Sequence, residues 1–380
     1  KRIRKIIAEI VGEVETAVNQ SIKIIRQTVY KPFAPRIIEN PPDLFFNIYI
    51  PSQYDFIERT DELTYDEALK ILNDECYTIQ AIVKNLTTAD YNKMRHITEF
   101  AAWKAKYADK VEIALLLYGQ QGSGKSLYAN KILRPLVGSE NYVEVGEHEM
   151  ASQFNDWNEG RRLIVFDEVK TDHQRNFTIL AYLKRYITQE FITINKKHQK
   201  LKTYRNYADY VLFSNFDDPV KIEASDRRFY VVKTGGPLMD VRSGEVLSPY
   251  LKELGYKNMK DVVKDMIQQR DTYIRTLLRM KVDINYLRYD IFTHEKFEMM
   301  KKTMSMYELF VYMLKHDIVS LFDAVNFDSL YLKLKNDYVS QDFVDTFDNV
   351  LRASYELLHG FIEANAASDF YYISMKDSSK

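Results

Sequence analysis

Residues 119–126 read Gly119-Gln120-Gln121-Gly122-Ser123-Gly124-Lys125-Ser126, a complete G-x-x-x-x-G-K-S phosphate-binding loop. No other stretch restricts the fold as tightly, because this loop works only between a buried strand and the start of a helix. Its glycines let backbone N–H groups wrap a triphosphate, its lysine reaches the β- and γ-phosphates, and its serine hydroxyl binds Mg²⁺. The flanks fit. Residues 111–118 (VEIALLLY) form an apolar run of buried-strand length, and 127–133 read as a helix whose N-terminus faces the phosphate. The expected ligands are ATP and Mg²⁺, held by residues 119–126 together with Leu127.

A second apolar run, Leu163-Ile164-Val165-Phe166, ends in Asp167-Glu168, 42 residues after Lys125. Carboxylates at the C-terminal edge of a buried strand sit where ligands bind in an open α/β sheet. Asp167 is expected to join Ser126 around Mg²⁺, and Glu168 to orient and deprotonate the attacking water. Further on, Tyr210-Val-Leu-Phe-Ser214-Asn215 is a strand ending in a polar pair, and Asn215 is placed to hold that water or the γ-phosphate. Asp226-Arg227-Arg228 then precedes the apolar run Phe229-Tyr-Val-Val. An arginine supplied across a subunit contact stabilises charge on the transferring phosphoryl group. Spacing does not separate Arg227 from Arg228 in that role.

The order P-loop, Asp-Glu, Ser-Asn, Asp-Arg-Arg resembles that of the superfamily 3 helicases, and more closely the poxvirus and phage primase-helicases. The resemblance is specific over 111–235 and softer over 46–105, where Phe46-Asn47-Ile-Tyr-Ile-Pro51 and Val83-Lys-Asn85-Leu86 are similar to the helical segment before the ATPase. The whole chain looks most like the C-terminal, helicase-like part of a phage primase-polymerase from deep-sea vents. The resemblance implies nucleotide contacts by Gly119, Gly122, Gly124, Lys125 and Ser126, catalytic roles for Asp167, Glu168 and Asn215, a finger at Arg227 or Arg228, and 3′→5′ movement.

Residues 191–206 (FITINKKHQKLKTYRN) hold five Lys/Arg, one His and no acid, in a chain of net charge −1. Strand-like Phe191-Ile-Thr-Ile and a turn over 195–199 predict a β-hairpin. Lys196, Lys197, His198, Lys200 and Lys202 would grip phosphates without sequence preference, and Tyr204 could stack a base. The superfamily 3 hairpin carries Lys-His at its tip, and Lys197-His198 matches it.

The pI near 6.8 argues against broad coating of nucleic acid, so any DNA contact is local. Cys76 is the one cysteine, which excludes an intrachain disulfide and suits a reducing compartment. No apolar run approaches ~18 residues, so no membrane span is expected. The start, Lys1-Arg-Ile-Arg-Lys, lacks methionine and opens inside a helical pattern, as expected of a piece of a longer protein.

Apolar residues from Ile3 to Ile25 recur at helical spacing and predict a long helix over 1–30. Five prolines over 31–51 predict a connector with a short extended piece, and 62–105 return to helical texture. Gly235-Gly236-Pro237 closes the core. Beyond it, 259–267 and 343–358 mark helices, and the Met- and aromatic-rich stretch 299–313 reads as core.

The expected fold class is therefore α/β: an AAA+-like P-loop ATPase core over 106–236, a helical N-terminal collar over 1–105 and a helix-rich C-terminal domain over 237–380. The expected function is a ring-forming, hexameric ATP-driven DNA helicase or translocase in phage replication. Its partners would be single-stranded or forked DNA and a covalently linked primase-polymerase, with no membrane, in the host cytoplasm. The alternative is a nucleotide-dependent oligomerisation platform that clamps DNA for the polymerase without strong unwinding. A protein-remodelling ATPase fits less well, because its pore loops would be aromatic rather than basic.

Overall fold

The computed structural model describes residues 11–12, 25–40, 43–57, 62–150, 152–168, 176–217, 219–220, 222–223, 226–289 and 291–304. Its centre is a five-stranded parallel sheet of β4 (Ala114–Tyr118), β5 (Tyr142–Val145), β6 (Leu163–Phe166), β9 (Asp209–Ser214) and β10 (Phe229–Lys233), in the order β10-β4-β9-β6-β5. Every neighbouring pair runs parallel. β4, β6 and β9 are buried at every position, as continuous apolar runs of a sheet covered on both faces should be. All five C-termini therefore open on one edge.

One face of the sheet, carrying Leu115, Leu117, Val165, Val211, Phe213 and Val232, shares a core with helices. These are α1 (Tyr65–Glu75), α2 (Tyr77–Thr87) and α3 (Tyr91–Lys106), which realise the helical texture read over 62–105. The start of α1 is fixed by a reciprocal capping box between Thr64 and Glu67, and that of α3 by the Asp90 carboxylate on the Lys93 N–H. The loop after β4 leads into α4 (Lys125–Tyr128), which continues through a π turn (Ala129–Leu133) into α5 (Arg134–Val137). α6 (Glu147–Met150) follows β5, and α7 (Asn176–Thr188) precedes the antiparallel hairpin of β7 (Phe191–Ile194) and β8 (Lys202–Arg205). After β10 come α8 (Pro249–Glu253), α9 (Met259–Arg279), α10 (Ile284–Tyr289) and α11 (His294–Lys301). α9 packs against α1, α2 and α3, so helices from both flanks of the sheet segment lie in one core.

Two N-terminal expectations are corrected. Residues 25–29, placed at the end of the helix over 1–30, form strand β1 (Ile25–Val29). The proline-rich connector contributes β2 (Ile37–Asn40) and β3 (Asp43–Asn47), giving a three-stranded sheet in the order β1-β3-β2. Of residues 1–24 only Val11 and Gly12, both helical, are among the described residues.

Residues 222–225 and 298–380 group as a second unit. Within it, the Thr303 hydroxyl donates to the Ile222 carbonyl at 2.7 Å. The helix read over 343–358 lies outside the described residues, as does the Met- and aromatic-rich stretch beyond Met304. Among the described residues, no helix is long and apolar enough to cross a membrane.

Candidate active site

The loop between β4 and α4 is pinned to the strands beside it. The Gly119 N–H donates to the Ser214 carbonyl at 3.1 Å, and the Thr234 N–H to the Tyr118 carbonyl at 2.7 Å. Gly119 has φ +142°, and a Cβ there would stand 2.4 Å from the Thr234 hydroxyl, so only glycine lets the chain leave the strand here.

Lys125 is folded back over its own loop. Its ammonium donates to the carbonyls of Gly119 at 3.0 Å and Gln120 at 3.1 Å, to the Ser123 hydroxyl at 3.2 Å, and to Oδ1 of Asn215 at 3.2 Å. Burial pulls its pKa down to about 8, against the opposing charge of Asp167. A cation held mainly by neutral carbonyls has poor charge compensation, which an incoming phosphate would supply. Ser126 and Gln120 are exposed at the same edge, and Leu127 is half-buried.

Register brings the other groups to this edge. Tyr118 pairs with Ser214, and Leu212 with Phe166, so Gly119, Asn215 and Asp167 leave adjoining strand ends. Asp167 is half-buried, and burial raises its carboxyl above the ordinary range, assisted by the charges of Glu144 and Glu168. The Glu168 N–H donates back to Asp167 Oδ1 at 3.0 Å. Glu168 itself has φ +57°, a left-handed conformation that costs a non-glycine residue roughly 1–2 kcal/mol, and its side chain is exposed. Strain at such a position is often retained at functional sites. The Ser126 hydroxyl and the Asp167 carboxylate offer hard oxygen donors of the kind that suit Mg²⁺.

Asn85 on α2 was given no role at this site by sequence, yet it ties the loop to the rest of the fold. Its Nδ2 donates to the carbonyls of Ser123 and Gly236, each at 3.0 Å, while its Oδ1 accepts from the Ser248 hydroxyl at 2.9 Å. The Gly235 N–H donates to the Asn85 carbonyl at 2.8 Å. A buried amide generally finds partners, but in residues 79–86 Asn85 stands with Gln80 and Lys84, so the sequence alone did not single it out. Glu144, whose charge bears on Asp167, was also missed.

The arginines lie elsewhere. β10 pairs with β4 from Phe229↔Ala114 to Lys233↔Tyr118. Arg227 therefore stands at the opposite edge, roughly 20 Å from Gly119 at ~3.3 Å per residue. Arg228 pairs with Asp226 at 3.7 Å, and Asp226 also takes Lys184 at 2.9 Å. Arg227 is exposed and has no partner among the described residues.

The hairpin projects from that same far edge, since the Asn206 N–H bonds the Glu190 carbonyl just before β9 begins. Lys197, His198, Lys200 and Lys202 are exposed on it, and His198 takes φ +61° in the turn closed by the Gln199 N–H on the Lys196 carbonyl. Two expectations change. Lys196 is ion-paired with Glu159. Tyr204 is half-buried and hydrogen-bonded to Glu159, its pKa pushed up to about 12 by burial and that carboxylate, so its ring is not a free stacking surface.

Comparison with known proteins adds three observations. Residues 117–228 match DUF5906, a family of unknown function. The DNA primase-polymerase of Nitratiruptor phage NrS-1 is 23% identical over 239 residues, covering 63% of this chain and 31% of the relative. The chain thus spans about a third of that protein's length. Two apo structures of the NrS-1 C-terminal region superpose with TM-scores of 0.63 and 0.62 at 19% and 20% identity, each covering 87% of this chain and 74% of theirs. At that identity the likeness establishes a shared fold: a parallel sheet flanked by helices.

Proposed function

We propose that this chain is the ATP-hydrolysing, DNA-translocating part of a phage replication protein, working as an AAA+-like ring of the superfamily 3 type, most simply a hexamer. One observation carries the reading. The phosphate loop, Asp167-Glu168 and Asn215 share one edge of the sheet, while Arg227, exposed and without a partner among the described residues, stands at the other, out of reach of its own loop. Such an arginine completes a site only on another copy. The similarity to a DNA primase-polymerase supports a role in DNA replication and a linked primase-polymerase.

In this reading Lys125 exchanges loop carbonyls for the β- and γ-phosphates. Ser126 and Asp167 would hold Mg²⁺, which would supply charge neutralisation at the phosphate oxygens. Glu168 orients and deprotonates water, with Asn215 beside it. Arg227 from a neighbouring copy stabilises the phosphoryl group, and Lys197, His198, Lys200 and Lys202 track the strand's phosphates.

The test is steady-state ATP hydrolysis against protein concentration, with and without single-stranded DNA. Specific activity should rise with concentration and rise again with DNA, and Lys125→Ala should abolish it. A flat, DNA-insensitive rate would reject the motor and favour a nucleotide-dependent clamp.

A further inference from the structure

On the face of the sheet away from the helical core, a cleft of about 240 Å³ opens at the root of the hairpin. Trp157, Tyr182, Arg185 and Tyr186 line it, with the amides of Asn155 and Asn195. Drug-sized ligands take pockets of roughly 300–1,000 Å³, so this one suits a single planar ring system. It is preorganised. Asn155 Nδ2 donates to the Tyr186 hydroxyl at 3.1 Å and to the Thr193 carbonyl at 2.9 Å, and its Oδ1 accepts from the Asn195 N–H at 2.6 Å. These bonds lock the segment carrying Trp157 to the first strand of the hairpin. Trp157 stands edge-on to Phe166 and Tyr186, with ring centroids 5.4 and 5.8 Å away. Tyr182 stacks on Tyr186 at 6.4 Å and remains 50% exposed, so one aromatic surface is available to a ligand. The Trp157 indole N–H, on the same cleft, is buried and has no partner among the described residues.

We propose that this cleft receives an unpaired base of single-stranded DNA, stacked on Tyr182 while the exposed lysines of the hairpin hold the adjoining phosphates. The inference rests on the DNA-translocating function proposed above, and it supplies the stacking surface that Tyr204 does not. Charge complementarity selects the occupant: Arg185 is exposed at the cleft, and Lys197, Lys200 and Lys202 are exposed on the hairpin that it adjoins. Stacking on an aromatic side chain contributes about 1–3 kcal/mol per base, a factor of roughly 5 to 140 in affinity, and tolerates any base.

The chain has two tryptophans, so Trp103→Phe leaves Trp157 as the only indole reporter. In that background, oligo(dT) and an abasic strand of equal length are titrated while Trp157 emission and binding are followed. The base-bearing strand should bind about 5- to 140-fold more tightly and alone should change the emission. Tyr182→Ala should erase the difference, and Tyr182→Phe should restore it. Equal binding of both strands would overturn the cleft while leaving DNA binding intact. Binding of neither would overturn the DNA-binding function itself. An emission change that follows protein concentration without DNA would assign the cleft to contact between copies and overturn the proposal.

Discussion

The two edges of the parallel sheet use charge in opposite ways. At the N-terminal edge, Lys104, Asp209 and Arg162 are buried against charged or polar partners. Lys104 and Asp209 form an ion pair at 2.8 Å, each 1% exposed, and Asp209 also accepts the Val111 N–H at 2.9 Å. Arg162 is fully buried, donating to the carbonyls of Lys104 and Tyr107 and to the Tyr49 hydroxyl. At the C-terminal edge, Lys125 borrows neutral carbonyls, Asp167 is held half-buried near two further acids, and Glu168 is strained and exposed. The first edge spends its charges on holding strands in register. The second leaves them under-compensated, as a site awaiting a charged ligand should. Arg227 is the exception: it is exposed on the structural edge without a partner among the described residues, and it is the arginine proposed above to serve another copy.

That exception gives the largest expected effect. Arg227→Ala should lower ATP turnover by about 10³–10⁵-fold while leaving nucleotide binding intact, whereas Arg228→Ala, which loses the pair with Asp226, should act mainly on stability. Inactive Arg227→Ala and Lys125→Ala proteins, mixed, should regain part of the activity, because each supplies what the other lacks. Failure to complement, with full activity in Arg227→Ala alone, would dissolve the contrast between edges. Next in size, Lys104→Ala should cost about 3–5 kcal/mol in denaturant unfolding, because it leaves the Asp209 carboxylate buried without its cation. Lys125→Ala should cost far less stability while removing all turnover. Similar losses from both would mean that the phosphate loop is as structural as the opposite edge.

The parts legible in sequence were those whose physics is local. Continuous apolar runs announced β4, β6 and β9, because strands covered on both faces have no polar side to show. The hairpin was legible for the reverse reason: a short strand, then basic residues with no acid. Residues 25–29 were misread because Ile25 extends a helical spacing that begins at Ile3, while the β-branched residues of IRQTV favour a strand that only pairing with β3 makes visible. The tie between Arg227 and Arg228 needed tertiary structure as well, since both follow Asp226 and only packing shows which one it engages. Lys196 looked like its neighbours until Glu159, 37 residues earlier, proved to be its partner. Asn85 reaches two carbonyls 38 and 151 residues away, a separation at which no periodicity carries information.

Asn85 is accordingly the place to ask whether the active edge is held from outside. Asn85→Ala removes the donors to the Ser123 and Gly236 carbonyls and the acceptor for Ser248, the first and last of these bonds buried and the Gly236 bond part-buried. It should destabilise the fold by about 1–3 kcal/mol and raise the KM for ATP more than it lowers kcat, because the loop loses its anchor and keeps its chemistry. An unchanged KM with lowered stability would show that the loop is positioned by Gly119 and Thr234 alone.

The smallest effect separates the edges by pH. Lys125 titrates near 8 when no phosphate is bound, and phosphate contact requires its ammonium form. ATP affinity should be constant below about pH 8 and fall by up to about tenfold per unit above it, with uptake of a proton on binding in that range. The sign follows from the direction of the shift. Burial favours the neutral amine in the free protein, and the triphosphate restores the charge, so raising the pH strengthens the state that cannot bind. Lys125→Arg should flatten the profile even where it binds weakly, since a guanidinium stays charged throughout. Lys104, at the other edge, is also pulled down by burial but is opposed by Asp209, and no nucleotide touches it, so its titration should alter unfolding and leave the binding profile unmoved. A binding profile that stays level through pH 9 would place the Lys125 ammonium in a better compensated state than its loop carbonyls provide, and would remove the main electrostatic distinction between the two edges.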